Sequence, residues 1–239
     1  MIVAIDGPAG AGKSTVARRL AERLGFRYLD TGAMYRALTW LALTEGVALG
    51  EGEQLGELAA ANPVVLDDEG RVWIADTDVT AAIRKSRIDR VVPVVAKHPA
   101  VRTVMRERQR ELAETGDAVI EGRDIGTVVC PEADVKVYLN ADTSVRAQRR
   151  LAERPEIGAD ALATDLRIRD QSDAARMQPA PDAIQIDTTD LDVEDVVARI
   201  EQLIREGTRG SAAGPLLATD SGGPGPSGAA RTGGVQPSS

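Results

Sequence analysis

Two kinds of apolar pattern alternate along this chain. Ile2–Ile5, Tyr28–Leu29, Ala118–Ile120, Val135–Leu139 and Ile184–Ile186 are short aliphatic or β-branched runs, and they predict strands. In Lys13–Leu24, Ala33–Leu43, Ala100–Glu114, Thr143–Glu153 and Val193–Arg205 the apolar positions recur every three to four residues, which predicts helices. Strand and helix in alternation imply an α/β fold, a five-stranded parallel sheet flanked by helices on both faces. One stretch breaks the rhythm. Val64-Val65-Leu66, Asp67-Asp68-Glu69-Gly70 and Val72-Trp73-Ile74 read as a hairpin with an acidic turn ending in glycine. That hairpin suggests a small inserted lobe over about 59–97. From about 207 the pattern fades: nine of the chain's 23 glycines lie in 207–239, among prolines and serines. Such a segment buries too little apolar surface to offset its ordering entropy. The expected organisation is a folded domain over 1–207 and a disordered tail over 208–239.

Composition narrows the chemistry. The 239 residues carry a net charge of −8, one histidine (His98) and one cysteine (Cys130). A Cys/His structural zinc site and an internal disulfide are therefore excluded, and any Ser-His or Cys-His mechanism would run through His98. The acidic balance argues against a general nucleic-acid binder. No apolar run has the length of a membrane span, and Met1–Asp6 lacks the basic start and long apolar stretch of a signal peptide. The expectation is a cytoplasmic, monomeric protein with no membrane or nucleic-acid partner. Its basic residues are almost all arginine, whose planar fork grips phosphate or carboxylate; a GC-rich coding sequence accounts for the same skew.

The most specific local signal is Gly7-Pro8-Ala9-Gly10-Ala11-Gly12-Lys13-Ser14-Thr15, which matches G-x-x-x-x-G-K-[ST] between a predicted strand and a predicted helix. Its glycines let backbone N–H groups curl around a phosphate, and the following helix points its positive end at the anion. In such a loop Lys13 bridges the β- and γ-phosphates of ATP, and the Ser14 hydroxyl ligates Mg²⁺. No Asn-Lys-x-Asp base-reading motif of a small GTPase is present. Nor is the long apolar strand ending in Asp-Glu that marks many hydrolytic ATPases.

Three further clusters follow. Asp30-Thr31-Gly32-Ala33-Met34-Tyr35-Arg36 places the Thr31 hydroxyl and an arginine just past the second strand. Glu121-Gly122-Arg123-Asp124-Ile125-Gly126-Thr127 stands at the carboxyl end of the third, where open α/β sheets bind ligands. Arg169, Asp170, Asp173 and Arg176 have helical spacing, which puts Arg169, Asp173 and Arg176 on one face. An ordinary solvated helix face accounts for the third cluster as well, and Arg36 alone is readable as a surface arginine.

Together these motifs, in this order around the phosphate loop, resemble bacterial cytidylate kinases over about residues 1–206. The resemblance implies transfer of the ATP γ-phosphoryl group to CMP or dCMP, with Mg²⁺. It implies that Arg36, Arg123 and Arg176 hold the acceptor phosphate and that Arg102 and Asp124 read the cytosine. Arg169 and Asp173 would hold the sugar. The insert at 59–97 would cover the acceptor nucleotide, and 145–177 would form a lid carrying Arg149, Arg150 and Arg154 towards the transferring phosphoryl group. Since the acceptor is already anionic, no histidine base is needed, and catalysis rests on Lys13 and arginines. Three departures stand out. Pro93 occupies a position where a base-contacting serine is expected, Met177–Asp182 is short for the loop after the lid, and Glu121 replaces an aspartate. The competing readings are a small P-loop kinase for UMP, AMP or shikimate, and a nucleotide-binding protein without catalysis.

Overall fold

The computed structural model describes residues 1–67, 69–155 and 157–212, with side chains as far as residue 206. Its central sheet is built from β1 (Ile2–Asp6), β2 (Arg27–Asp30), β6 (Ala118–Gly122), β7 (Val135–Asn140) and β8 (Ile184–Asp187), in the order β2-β6-β1-β7-β8. Every neighbouring pair is parallel. The strands between these, β3 (Val65–Leu66), β4 (Val72–Ile74) and β5 (Thr77–Asp78), form a separate antiparallel sheet. The central five match the predicted strands, each extended by a residue or two.

Two helices seal one face of the central sheet, α1 (Lys13–Leu24) and α8 (Val193–Ala212). Leu20 and Val16 of α1 and Val197 and Ile200 of α8 bury against Val3, Ile5, Val137 and Leu139. On the other face Ala4, Leu29 and Ile120 pack with Ile125, Val129 and the end of α5 (Pro99–Glu114). The widened turn over Ile125–Val129 carries the chain from β6 towards β7. β1 lies between β6 and β7, so the connections from β1 to β2 and from β6 to β7 run to opposite sides, and the carboxyl ends of these strands open onto a crevice.

A second core lies outside the sheet. Met34, Leu38 and Leu41 of α2 (Thr31–Glu45) pack with Leu55 of α3 (Gly52–Ala61), Val72 and Ile74 of β4, Val95 of α4 (Ser86–Ala96), and Val101 and Met105 of α5. This cluster contains the hairpin of the expected insert and extends beyond 59–97 on both sides. The sequence does not announce α3 and α4. Gly52 and Gly56 interrupt α3; a Cβ on Gly56 would meet that of Ala100 at 2.9 Å, so the glycine lets α3 lie close on α5. α4 reads as a β-branched run around Pro93, yet Ile88, Val92 and Val95 form its buried helical stripe. The remaining helices are α6 (Thr143–Glu153), which begins two residues before the expected 145–177 lid, and α7 (Ala159–Asp173), which lies inside it. Of the expected tail, 208–212 continue α8 and the rest lies outside the described residues.

β4 and β5 are joined by a two-residue turn at Ala75 and Asp76, both with positive φ (46° and 56°). This mirror-image turn suits the hairpin twist, but its left-handed backbone crowds an alanine Cβ. Ala75→Gly should relieve that strain, raising stability by about 0.5–1 kcal/mol net of glycine's greater chain entropy. The expected reading is a thermal midpoint higher by about 2 °C; a comparable fall would show that the turn is unstrained.

Candidate active site

The phosphate loop runs from the end of β1 to α1 and needs its glycines for space as well as conformation. Gly7, Gly10 and Gly12 have φ of 146°, 78° and 87°. A Cβ on Gly7 would lie 2.0 Å from the Leu139 carbonyl oxygen, and one on Gly10 2.9 Å from that of Arg146. Lys13 is almost fully buried, and its Nζ donates to the Pro8 carbonyl at 2.8 Å. Burial, reinforced by the nearby Arg123 guanidinium, pulls its pKa down to about 7. Ser14 and Thr15 stand exposed at the start of α1. The Ser14 hydroxyl lies beside Glu121, whose carboxyl burial pushes upward in pKa.

From this loop a cleft of about 510 Å³ extends along the carboxyl edge of the sheet to α4 and α5. Lys13, Ser14, Thr15, Thr31, Arg36, Arg102, Arg123, Asp124, Arg154, Arg169, Asp173 and Arg176 all line it, as do Ala9, Gly10 and Gly12. Gly7, Pro8 and Ala11 shape the loop from behind. Arg149 is the exception among the arginines. It turns away from the cleft, donating to the Thr188 hydroxyl at 2.9 Å and the Thr188 carbonyl at 2.6 Å. Arg150, one residue on, faces inward instead. The Thr31 hydroxyl is engaged by the Glu121 carbonyl at 2.6 Å.

Eight arginines line the cleft, and four aspartates divide them. Asp124 takes Arg102 at 2.5 Å. Asp173 takes Arg123 at 2.9 Å and Arg176 at 2.6 Å. The spacing argument put Arg169, Asp173 and Arg176 on one helix face. In the structure α7 ends at Asp173, and Arg176 follows in the terminal turn, its N–H on the Asp173 carbonyl at 2.8 Å. Pro179 and Pro181 soon after preclude further helix, yet the turn still delivers Arg176 to Asp173. Asp30 caps α2, accepting the Ala33 N–H at 2.8 Å, and also takes Arg84 at 2.8 Å and Arg36 at 3.7 Å.

Asp89 is the residue that sequence reasoning missed. Its carboxylate meets Arg36 at 3.2 Å, Arg169 at 3.1 Å, Arg150 at 3.3 Å, and Arg154. Burial alone would raise the Asp89 carboxyl; the four guanidiniums outweigh it and hold the pKa at about 2. Pro93 has a part in this. It has no N–H for the carbonyl of Asp89 one helical turn earlier, and Arg169 donates to that carbonyl instead, at 3.3 Å. Pro93 itself lines the cleft without a donor, as expected from its position. Two further residues were not foreseen. Asp6 accepts the Ile125 and Gly126 N–H groups at 2.9 and 2.8 Å, which fixes the turn after β6. Arg146 joins the Ala9 carbonyl of the phosphate loop at 3.1 Å to Asp170 of α7 at 2.8 Å.

Removing the Asp89 charge would leave four guanidiniums facing one another. Asp89→Asn should lower stability by about 3 kcal/mol, a midpoint drop of roughly 6–12 °C at neutral pH. Because the folded pKa is depressed, this contribution is present above about pH 4 and fades as the pH falls towards 2. Wild type and variant melts should therefore converge in acid; a constant gap down to pH 2 would reject the assignment.

Comparison with known proteins finds relatives over most of the chain. The cytidylate kinase family profile matches residues 3–206. A cytidylate kinase of Shouchella clausii is 46% identical over 218 residues, covering 87% of this chain and 97% of that protein. One from a Geobacillus species is 46% identical over 215 residues, covering 85% and 96%. Among solved structures, a gluconokinase from Sinorhizobium meliloti superimposes with a TM-score of 0.50 at 13% identity, covering 88% of this chain and 95% of that one, and so shares the fold. With the profile spanning the whole sheet, the phosphate loop and the arginine cleft, the chain belongs to the cytidylate kinase family.

Proposed function

We propose that the protein transfers the γ-phosphoryl group of ATP to CMP or dCMP, giving ADP and CDP or dCDP. The observation that carries this reading is a single cleft with a phosphate loop at one end and the Arg102–Asp124 pair at the other. Cations line the space between. A guanidinium beside a carboxylate offers donors and acceptors together, which suits the edge of a cytosine with its ring acceptors and exocyclic amino group. A small acid acceptor such as shikimate has no use for such a pair.

Roles follow from position. Backbone N–H groups of Gly10–Gly12 and Lys13 receive the ATP phosphates, and Lys13 neutralises charge as it passes from the γ-phosphoryl group to the β-phosphate. Arg36, Arg123 and Arg176 orient the acceptor phosphate, while Arg169 and Asp173 hold its sugar. Arg150 and Arg154, carried by the end of α6, approach the transferring group as the 145–177 segment closes and excludes water. Arg149 acts one step back, holding the phosphate loop against Thr188. The acceptor oxygen is anionic at neutral pH, so no residue need remove a proton.

Mg²⁺ fits the residues present. Among the described residues no three acidic, histidine or cysteine side chains cluster as a metal cage. A hydroxyl at Ser14 with Glu121 beside it suits an ion held chiefly by phosphates and water. Bound there, it would supply charge neutralisation to the β- and γ-phosphates. The 59–97 insert serves as the acceptor-nucleotide lobe in this reading, and the protein works as a monomer. Among the described residues no helix is long and apolar enough to cross a membrane.

An ADP-release assay with ATP-Mg²⁺ and CMP, dCMP, UMP, AMP or shikimate tests the proposal. CMP and dCMP should exceed the others at least about tenfold in kcat/KM; equal rates across the panel would overturn it. Lys13 gives an independent signature. With its pKa near 7 in the empty cleft, it is largely neutral at pH 8, and bound phosphates favour the ammonium form. ATP binding at pH 8 should take up about one proton, read by calorimetry in buffers of different ionisation enthalpy. Lys13→Met should abolish that uptake, and uptake equal to wild type would refute the Lys13 assignment.

A further inference from the structure

The buried face of α5 is a stripe of Val101, Met105, Gln109 and Ala113, repeating at four-residue intervals. Gln109 is the one polar member. Its side chain is almost fully enclosed, with 3% of the residue exposed. An amide in such a position normally finds a partner, because a buried donor left unpaired is destabilising. The Gln109 Nε2 has none. It is one of four buried side-chain nitrogens without a hydrogen bond among the described residues, with Arg27 Nε, Arg36 Nη1 and Arg106 Nε. Only the Arg36 and Gln109 side chains among these also line the cleft.

Those two stand in different chemical settings. Arg36 belongs to the group of guanidiniums gathered around Asp30 and Asp89, suited to a phosphate. Gln109 lies two turns along α5 from Arg102, on nearly the same face, and helical side chains lean towards the N-terminus. It therefore leans towards the turns that carry Met105 and Arg102. Its neighbour is the hydroxyl of Tyr35, which the amide approaches without a well-aligned hydrogen bond, and Arg102 and Asp124 stand beside the same hydroxyl. The donor without an aligned partner is thus neutral and lies beside the pair assigned to the base. A neutral carbonyl or ring nitrogen satisfies it better than a phosphate, which would need cations.

We propose that Gln109 is a specificity-determining residue that reads the pyrimidine ring of the acceptor nucleotide, its Nε2–H donating to the O2/N3 acceptor edge. The assignment rests on the cytidylate reading of the cleft. It also explains why a glutamine interrupts an apolar stripe: the donor has no well-aligned partner in the empty cleft and gains one when the base arrives.

Gln109→Met keeps side-chain length and helix propensity while removing the donor, and Gln109→Leu is the second variant should methionine pack poorly. KM for CMP should rise at least about tenfold, with KM for ATP within about twofold and the melting temperature of the ligand-free protein unchanged or higher. A merely structural glutamine would give the opposite, a lower melting temperature with KM for CMP unmoved or with both substrates weakened alike, and that result overturns the proposal. The 5′-monophosphate of the pyrimidin-2-one riboside, which lacks the amino group but keeps O2 and N3, should show the same fold-loss on substitution. A loss confined to CMP would place Gln109 at the amino group and reject the donor assignment. If the wild-type protein fails to phosphorylate CMP at all, the cytidylate reading falls first; if it succeeds and the variants match it, only Gln109 is misassigned.

Discussion

Eight arginines and Lys13 line one cleft, and their mutual repulsion has to be offset before the chain can close around it. In a partly dry site each like-charge pair is felt more strongly than in water. The fold answers with Asp30, Asp89, Asp124 and Asp173, each placed by a different element. Asp30 ends β2, Asp89 lies in α4, Asp124 follows β6 and Asp173 ends α7. One aspartate from the lobe, two from the sheet edge and one from the helical segment therefore draw all three parts onto the same space. The local attraction for anions coexists with a net charge of −8 on the chain, because the positive charge is gathered here and the surplus of acids lies elsewhere.

Architecture decides which residues can take part in that balance. With β6 and β1 parallel neighbours, the phosphate loop leaves one strand end and the Glu121–Asp124 segment leaves the next, side by side. Asp6, the last residue of β1, then holds the N–H groups of Ile125 and Gly126, so the two segments are joined below the cleft floor. α5 serves both cores, with Val101 and Met105 in the lobe and Ala113 against the sheet. A shift of this one helix would move the Arg102–Asp124 pair relative to the phosphate loop.

Most of the central domain was legible because its signals are local. The five sheet strands are aliphatic runs in chain order, and the phosphate loop declares itself through residue types at fixed spacing. Arg36, Arg123 and Arg176 were found through short motifs that sit next to elements already recognised. What escaped was nonlocal. Asp89 is an acidic residue in a β-branched stretch whose helical period is masked by its valines and Pro93; its importance comes from arginines brought in by three other helices. Arg149 and Arg150 are adjacent and identical in type, and only the rotation of α6 decides that Arg150 enters the cleft while Arg149 holds Thr188. The turn at Ala75 and Asp76 carries no glycine to mark it, so β5 went unread.

Arg146 links two things that a bilobed enzyme must keep in step. One guanidinium holds the Ala9 carbonyl of the phosphate loop and the Asp170 carboxylate of α7 at the same time. The loop that receives the donor is thereby fastened to the helix that ends in Asp173, which pairs with Arg123 and Arg176. In the proposed reaction a movement of α7 would pull on the Ala9 carbonyl through Arg146. If the proposed donor and acceptor sites are right, one side chain of a single chain joins the structural supports of both.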